Sequence, residues 1–233
     1  MSARELRLLE EGAVELVGRI ANSSNATFLA RLSAEGDCAY AIYKPEAGER
    51  PLADFEPGLY RRERAAYLLS EALRWGIVPP TVIREDPPLG SGSLQWFIEA
   101  DPGVHYFTLY ADAPQTHPEL ARIALFDALA NNTDRKSGHV LRGPGGHIWG
   151  IDNGLCFAAS NKLRTVIWDF AGEPIPADLL ADIAPLAEGA PPELAGLLDG
   201  GELAALERRA RRLLREGVLP EDATGMRYPW PLV

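Results

Sequence analysis

The 233-residue chain is 46% hydrophobic and 24% charged, which excludes global disorder and leaves room for a proper buried core. Its formal net charge of −10 argues against a general nucleic-acid binder, which would present a basic face, and against docking on an anionic membrane surface. Cys38 and Cys156 lack zinc-type spacing and read as two unpaired buried thiols of a reducing compartment. With no apolar signal core and no apolar run near the ~18 residues a bilayer needs, a cytoplasmic protein without a membrane span is expected.

In chain order, residues 4–11 read as a short helix and 14–20 as a strand that stops at a polar break. That break, Ala21-Asn22-Ser23-Ser24-Asn25-Ala26, precedes a second strand over 27–32. Small polar residues between two strands either make a plain hairpin turn or gather backbone N–H groups around an anion. Glu35-Gly36-Asp37 turns the chain into a third strand that closes on Tyr43-Lys44-Pro45. Lys44 is there either a solvated strand-end charge or, beside the polar turn, a phosphate-neutralising lysine. Residues 46–56 lie among Pro45, Pro51 and Pro57 and read as loop. Leu59, Ala66, Leu69 and Leu73 recur at helical spacing over 58–75. On that helix Glu63 either partners Arg61, Arg62 and Arg64 or faces the sheet and orients Lys44. A strand near 76–83 and another over 93–99 complete a five-stranded sheet. The last of them, with Gln95, Trp96, Phe97 and Ile98, would feed a hinge whose backbone hydrogen-bonds an adenine.

Beyond Asp101-Pro102-Gly103 the pattern turns helical, with an apolar stripe from Leu120 to Ala130. Two polar motifs follow, Asn131-Asn132-Thr133-Asp134-Arg135 and, after a Gly/Pro hairpin signal, Gly150-Ile151-Asp152-Asn153-Gly154. One carboxylate thus falls just past a helix and another just past a hairpin. Phosphoryl transfer needs one carboxylate near the acceptor hydroxyl and one on the metal that holds the phosphates. Two more helices are expected at 176–186 and 201–216, the second with a solvated arginine face of Arg208, Arg209, Arg211, Arg212 and Arg215. The tail Tyr228-Pro229-Trp230-Pro231 is expected to pack back onto the domain.

Taken together, Tyr43-Lys44-Pro45, Arg62-Glu63, Gly92 to Glu99, Asn132-Thr133-Asp134-Arg135 and Ile151-Asp152-Asn153-Gly154-Leu155-Cys156-Phe157 resemble the phosphatidylinositol 3-/4-kinase-like superfamily. The likeness is nearest to the type II phosphatidylinositol 4-kinases, with HipA-type bacterial kinases sharing the plan, and the chain looks like a compact actinobacterial-type branch. The resemblance implies a single protein-kinase-like α+β domain over 1–233. Its N-lobe, 12–99, would be an antiparallel sheet with one helix, and its C-lobe, 100–233, mainly helical. It also implies ATP with magnesium or manganese as cofactors. Lys44 would hold the α/β-phosphates with Glu63 orienting it, Asp134 would align or deprotonate the acceptor hydroxyl, and Asp152 would bind the metal. The turn Asn22-Ser23-Ser24-Asn25 would cover the phosphates, without the glycines usual there. Five residues after Asp134, where such kinases carry an asparagine, stands His139. It is either a metal ligand that shifts preference towards manganese or a structural residue beside a one-metal site.

The function implied is transfer of the γ-phosphate to a hydroxyl, on a protein Ser/Thr (by autophosphorylation included) or on a soluble small molecule rather than on an inositol lipid. The reason is that the chain has neither a cysteine-rich insertion nor a basic amphipathic anchor. A nucleotide-binding pseudokinase, a phosphatidylinositol kinase and an AMP transferase remain open beside it.

Overall fold

A computed structural model of the chain describes residues 3–21, 23–53 and 55–233. Helix α1 (Ala3–Glu11) leads into a meander of β1 (Ala13–Arg19), β2 (Phe28–Ala34) and β3 (Asp37–Pro45). Ala30 and Leu32 of β2 are buried while Arg31 and Ser33 are exposed, as the two-residue period of a half-buried strand requires. Helix α2 (Leu59–Ala72), β4 (Thr81–Arg84) and β5 (Gly92–Trp96) follow, and the strands pair antiparallel in the order β1-β2-β3-β5-β4. Strand β4 is shorter than expected because Pro79 and Pro80 withhold ladder donors.

Central β5 explains two features that the sequence disguised. Ser93 and Gln95 are buried, and the Gln95 amide donates to Thr81 Oγ1 at 2.9 Å within the sheet. Gly92 pairs with Pro45, and a Cβ there would come within 2.5 Å of the Lys44 carbonyl. Only glycine lets β5 enter beside the strand end that carries Lys44.

The other lobe is mainly helical, with α3 (Tyr106–Asp112), α4 (His117–Ala130), α5 (Ala177–Glu188) and α6 (Gly200–Glu216). A small hairpin, β6 (Val140–Arg142) with β7 (Ile148–Gly150), stands between α4 and α5. Helix α3 was not anticipated, because its few apolar residues are too short a run to show a period. This is the two-lobed α+β arrangement expected.

Two hydrophobic clusters hold it. One lies between α1 and the sheet, around Leu8, Leu9, Leu32, Tyr43 and Leu94. The larger one begins on α2 and the turn after it, at Leu69, Trp75 and Ile77, and continues into the helical lobe through Phe126, Leu129 and Leu206.

Three expectations are corrected here. Cys38 is exposed on β3, and only Cys156 is buried. Arg209 is no part of a solvated face: it is buried and donates to the carbonyls of Leu129 and Ala158. In the tail Leu232 packs on the core and its carbonyl accepts from Ser137 N–H at 2.8 Å, but Trp230 is 87% exposed.

Candidate active site

Helix α4 ends at Asn131, whose left-handed conformation (φ 53°) turns the chain out of the helix. Asp127, one turn earlier, is an acid within the apolar stripe of α4, and it is fully buried. Its carboxylate receives the Arg135 guanidinium, at 2.9 Å from Nη2, and the Asn132 amide at 3.2 Å. Arg135 is itself 0% exposed and also donates to the Ile151 carbonyl and, at 2.8 Å, to Asn153 Oδ1. A buried pair of this kind is weak evidence for stability, but removing either partner strands the other charge. Here it ties the segment after α4 to the segment after β7. Between these bonds Asp134 is held by its own N–H, which donates to Asn132 Oδ1 at 2.9 Å.

The segment after β7 carries Asp152 in the left-handed region at φ 57°, a strained conformation for a non-glycine residue. It is fixed from both sides. Arg135 holds Ile151 and Asn153, while Glu63 of α2 accepts the N–H groups of Asn153 and Gly154, each at 3.0 Å. A Cβ on Gly154 would stand 3.3 Å from Glu63 Oε1, so glycine suits this close approach. Glu63 is 2% exposed and takes the Lys44 ammonium on the same oxygen, Oε1. Lys44 also donates to Asp152 Oδ1 at 2.6 Å. Glu63 is therefore no surface partner of its neighbouring arginines. Arg62 pairs with Glu202 of α6, and Arg64 donates to the Thr81 carbonyl.

The charges shift one another accordingly. Burial would lower the Lys44 pKa, but the Asp152 and Glu63 carboxylates raise it. Burial would likewise raise the Asp152 carboxyl, yet the Lys44 ammonium holds it well below the usual carboxylate range. Asp134 has only the more distant Lys136, 3.5 Å away, and burial pushes its pKa up to about 6. His139 is lowered by burial to about 4, so its ring is neutral.

His139 Nε2 lies 3.3 Å from Asp152 Oδ2, and its Nδ1 faces the Lys136 N–H at 3.4 Å. A metal-ligating histidine gives its second N–H to an acceptor. Here the second nitrogen meets a donor, which places the ring proton on Nε2, on the side of Asp152. His139 thus stands beside the Asp152 carboxylate without a hydrogen bond to it. Among the described residues no group of three or more His, Cys, Asp or Glu side chains could hold a metal by itself. Asp152 together with phosphate oxygens suits magnesium, which is commonly held by one or two carboxylates plus substrate phosphates.

Two cavities meet at these residues. One lies under the turn between β1 and β2 and is lined by Ser23, Ser24, Asn25, Lys44, Glu63 and Asp152. The other, of about 990 Å³, opens beyond Asp134 and His139. Ser23, Ser24, Asp134 and Leu155 line both. Asn25 Oδ1 accepts the Arg50 N–H at 2.9 Å, and Ser23 Oγ lies 2.8 Å from Thr27 Oγ1, so the turn is tied down by its own side chains. Asn22 lies outside the described residues.

The hinge residues fall differently from expectation. Gln95 is buried within the sheet, and the N–H groups of Trp96 and Phe97 donate to the carbonyls of Pro80 and Tyr40 at 2.8 and 3.2 Å. These two donors are taken up by the sheet.

Sequence reading gave no role to Asp127, Arg135, Asn153 or Lys136. The signal for the first was present, an acid inside an apolar helical stripe, but its partner Arg135 reads like any loop arginine.

Protein Rv2133c of Mycobacterium tuberculosis (strain ATCC 25618 / H37Rv) is 39% identical to this chain over 264 residues, covering 97% of this chain and 95% of its own. Among solved structures, hydra Fam20 with sugar superposes with a TM-score of 0.58 at 13% identity, over 92% of this chain and 88% of its own. The Helicobacter pylori proinflammatory kinase CtkA superposes with a TM-score of 0.50 at 11% identity, over 90% of this chain and 94% of its own. The fold shared with these structures is protein-kinase-like. No family model matches the chain.

Proposed function

The chain belongs to the family of Protein Rv2133c, and from that premise and the site geometry we propose that it is an ATP-dependent phosphotransferase acting on a hydroxyl. The observation that carries this reading is the convergence of Lys44, Glu63, Asp134 and Asp152 on two cavities that meet at Asp134. Within kinase-like folds, the motifs favour the phosphatidylinositol 3-/4-kinase-like superfamily. Its compact single domain spans residues 1–233, divided near residue 99.

In this reading Lys44, oriented by Glu63, neutralises the nucleotide phosphates beneath the Ser23–Asn25 turn, and the hinge backbone about Ile98 would meet the adenine, as the resemblance implies. A divalent cation on Asp152 and the phosphate oxygens would neutralise the charge of the transferring group. His139 places Nε2 3.3 Å from the second Asp152 oxygen. Asp134 accepts the acceptor's hydroxyl proton, a task for which a pKa of about 6 is suited, since it is ionised near neutrality yet basic enough to take the proton. Lys136, 3.5 Å from Asp134, would place a positive charge near the transferring phosphoryl group.

The test is incubation with γ-labelled ATP and magnesium or manganese, followed by mass mapping of labelled products. Wild type should transfer label, and Asp152→Asn and Lys44→Met should abolish the transfer while remaining folded. Transfer of label from α-labelled ATP in place of the γ-phosphate would instead identify nucleotidyl transfer.

A further inference from the structure

The cavity beyond Asp134 carries a charge pattern that the overall composition does not. In a chain of net charge −10, its lining includes Arg50, Lys136, Lys162 and Arg164. Among the described lining residues Asp134 is the single acidic side chain. ATP does not account for this concentration. In the phosphotransferase reading Lys44 and the Asn25 turn serve the other cavity; Lys162 and Arg164 line only the acceptor side, while Arg50 also lines a neighbouring cleft with Glu46, Glu49 and Glu56.

The two arginines are held in register with the catalytic parts by their backbones. The Arg50 N–H donates to Asn25 Oδ1, which fixes Arg50 to the turn over the phosphates. The Arg164 N–H donates to the Asn132 carbonyl at 2.9 Å, and its own carbonyl accepts from Arg135 N–H at 3.1 Å. Arg164 is thus stitched to both sides of Asp134. Both side chains are exposed to the cavity solvent and long enough to adapt to a ligand, and a guanidinium matches a phosphate in bidentate fashion.

The space is concave and walled by the β1–β2 turn, the loop around Leu52 and Phe55, the Asp134 segment, the Arg164 segment and the tail at Trp230. Its volume of about 990 Å³ is that of a small-molecule site rather than of an extended peptide groove.

Resting on the phosphotransferase reading, we propose that the acceptor is a small soluble hydroxyl compound that already bears a phosphate, bound by Arg50 and Arg164 with its free hydroxyl at Asp134. The acceptor oxygen attacks the γ-phosphorus, the bond from that phosphorus to the β–γ bridging oxygen breaks, and ADP leaves with the bridging oxygen. The hydroxyl proton passes to the Asp134 carboxylate, and the product is a bisphosphate. A phosphorylated headgroup on a lipid offers the same chemistry from a membrane, so the experiment separates the two sources.

The test has two arms. In the first, thermal melts are taken with a non-hydrolysable ATP analogue and magnesium, then with millimolar inorganic phosphate added. Phosphate should raise the melting temperature of the nucleotide-loaded protein further. Arg164→Gln and Arg50→Gln should remove that second rise while keeping the first. No second rise, or one that survives both substitutions, overturns the proposal. If the nucleotide itself gives no rise, the phosphotransferase reading fails, and that is a distinguishable result.

In the second arm γ-labelled ATP is offered with ribose 5-phosphate, glycerol 3-phosphate and inositol 1-phosphate, with each unphosphorylated parent, with phosphatidylcholine vesicles containing phosphatidylinositol, and with casein. Label should enter a soluble phosphorylated compound, and Arg164→Gln should raise its KM about tenfold or more, the effect of losing one hydrogen bond to a charged group. Label confined to vesicle lipid or to protein overturns the proposal. So does equal labelling of the parents, or label in none of the compounds while basal ATP hydrolysis persists.

Discussion

Asp134 and Asp152 lie near each other yet are shifted in opposite directions, because Lys44 sits on Asp152 whereas Asp134 is half-buried with only a more distant cation. For Asp134 the shift from 3.8 to about 6 places ionisation within a measurable range. The acid limb of kcat/KM should fall near pH 6, and Asp134→Asn should remove that limb with a loss in kcat on the order of 10²–10⁴-fold while nucleotide affinity survives. The raised folded pKa means that the protonated carboxyl is the favoured form in the fold. Its stabilisation is full below the unfolded value and is lost as pH rises through the folded one. The stability of Asp134→Asn relative to wild type should therefore grow between about pH 4 and about pH 7, read from paired thermal melts. An acid limb unmoved by the substitution would remove Asp134 from the role of base.

His139 gives the second residue-scale prediction. In the reading that makes His139 a structural neighbour of Asp152, its Nδ1 engaged by the Lys136 N–H, His139→Asn should leave the ratio of magnesium to manganese activity unchanged. A swing towards magnesium would show that the imidazole ligates after all. The candidates Lys44, Glu63, Asp134 and Asp152 could be picked out at this scale because each stood in an ordered set of short motifs. Arg135 and Arg209 could not, since a sequence shows a charge but not whether carbonyls and carboxylates wait for it inside.

At the scale of the element, α2 is the part that joins sheet, site and helical lobe. Glu49 accepts the N–H groups of Gly58 and Tyr60 at 2.8 and 3.1 Å, satisfying donors at the helix start from a loop nine residues back. Glu63 faces the cleft, and Arg62, one position earlier, reaches the other way to Glu202 and the Cys156 carbonyl. Glu202 in turn accepts the Asp199 N–H in the cap of α6, so the two helices share one carboxylate. The pair is largely buried, and removing one partner costs about 3–5 kcal/mol because the other charge is left uncompensated. Arg62→Ala should therefore lower the melting temperature and also kcat, since α2 and Glu63 lose their anchor to the helical lobe. Equal turnover in a destabilised variant would separate the anchor from the site. The existence of α2 was plain from its spacing. Which of its faces met what was not, because it is buried on both sides and shows no clean polar stripe.

At the scale of the molecule, the alternation of strand-rich and helix-rich halves made the two lobes legible, but not how they are joined. Behind the cleft, Trp75 Nε1 donates to Asp182 Oδ2 at 2.8 Å and Gly150 N–H to the Ile77 carbonyl at 2.7 Å. The larger hydrophobic cluster crosses the same seam, so Leu69, Leu73, Trp75, Ile77 and Val78 bury their apolar surface only when the helical lobe is present. A fragment of residues 1–99 would expose that surface. It would retain only the cluster between α1 and the sheet, too few buried groups to offset the ordering of its chain. The fragment should show no cooperative thermal transition. The whole chain should unfold in one step, with tryptophan fluorescence and far-UV circular dichroism giving coincident urea curves, since tryptophans lie on both sides of the seam at Trp75, Trp96, Trp149 and Trp168. Two separated transitions would mean that the lobes fold as independent units. The Lys44–Glu63 pair would then no longer be secured by the helical lobe, and its presence without nucleotide would need another cause. With a single transition, α2 stays with the helical lobe when the cleft opens, and the β1–β2 turn would move only together with the loop that Asn25 holds beside it.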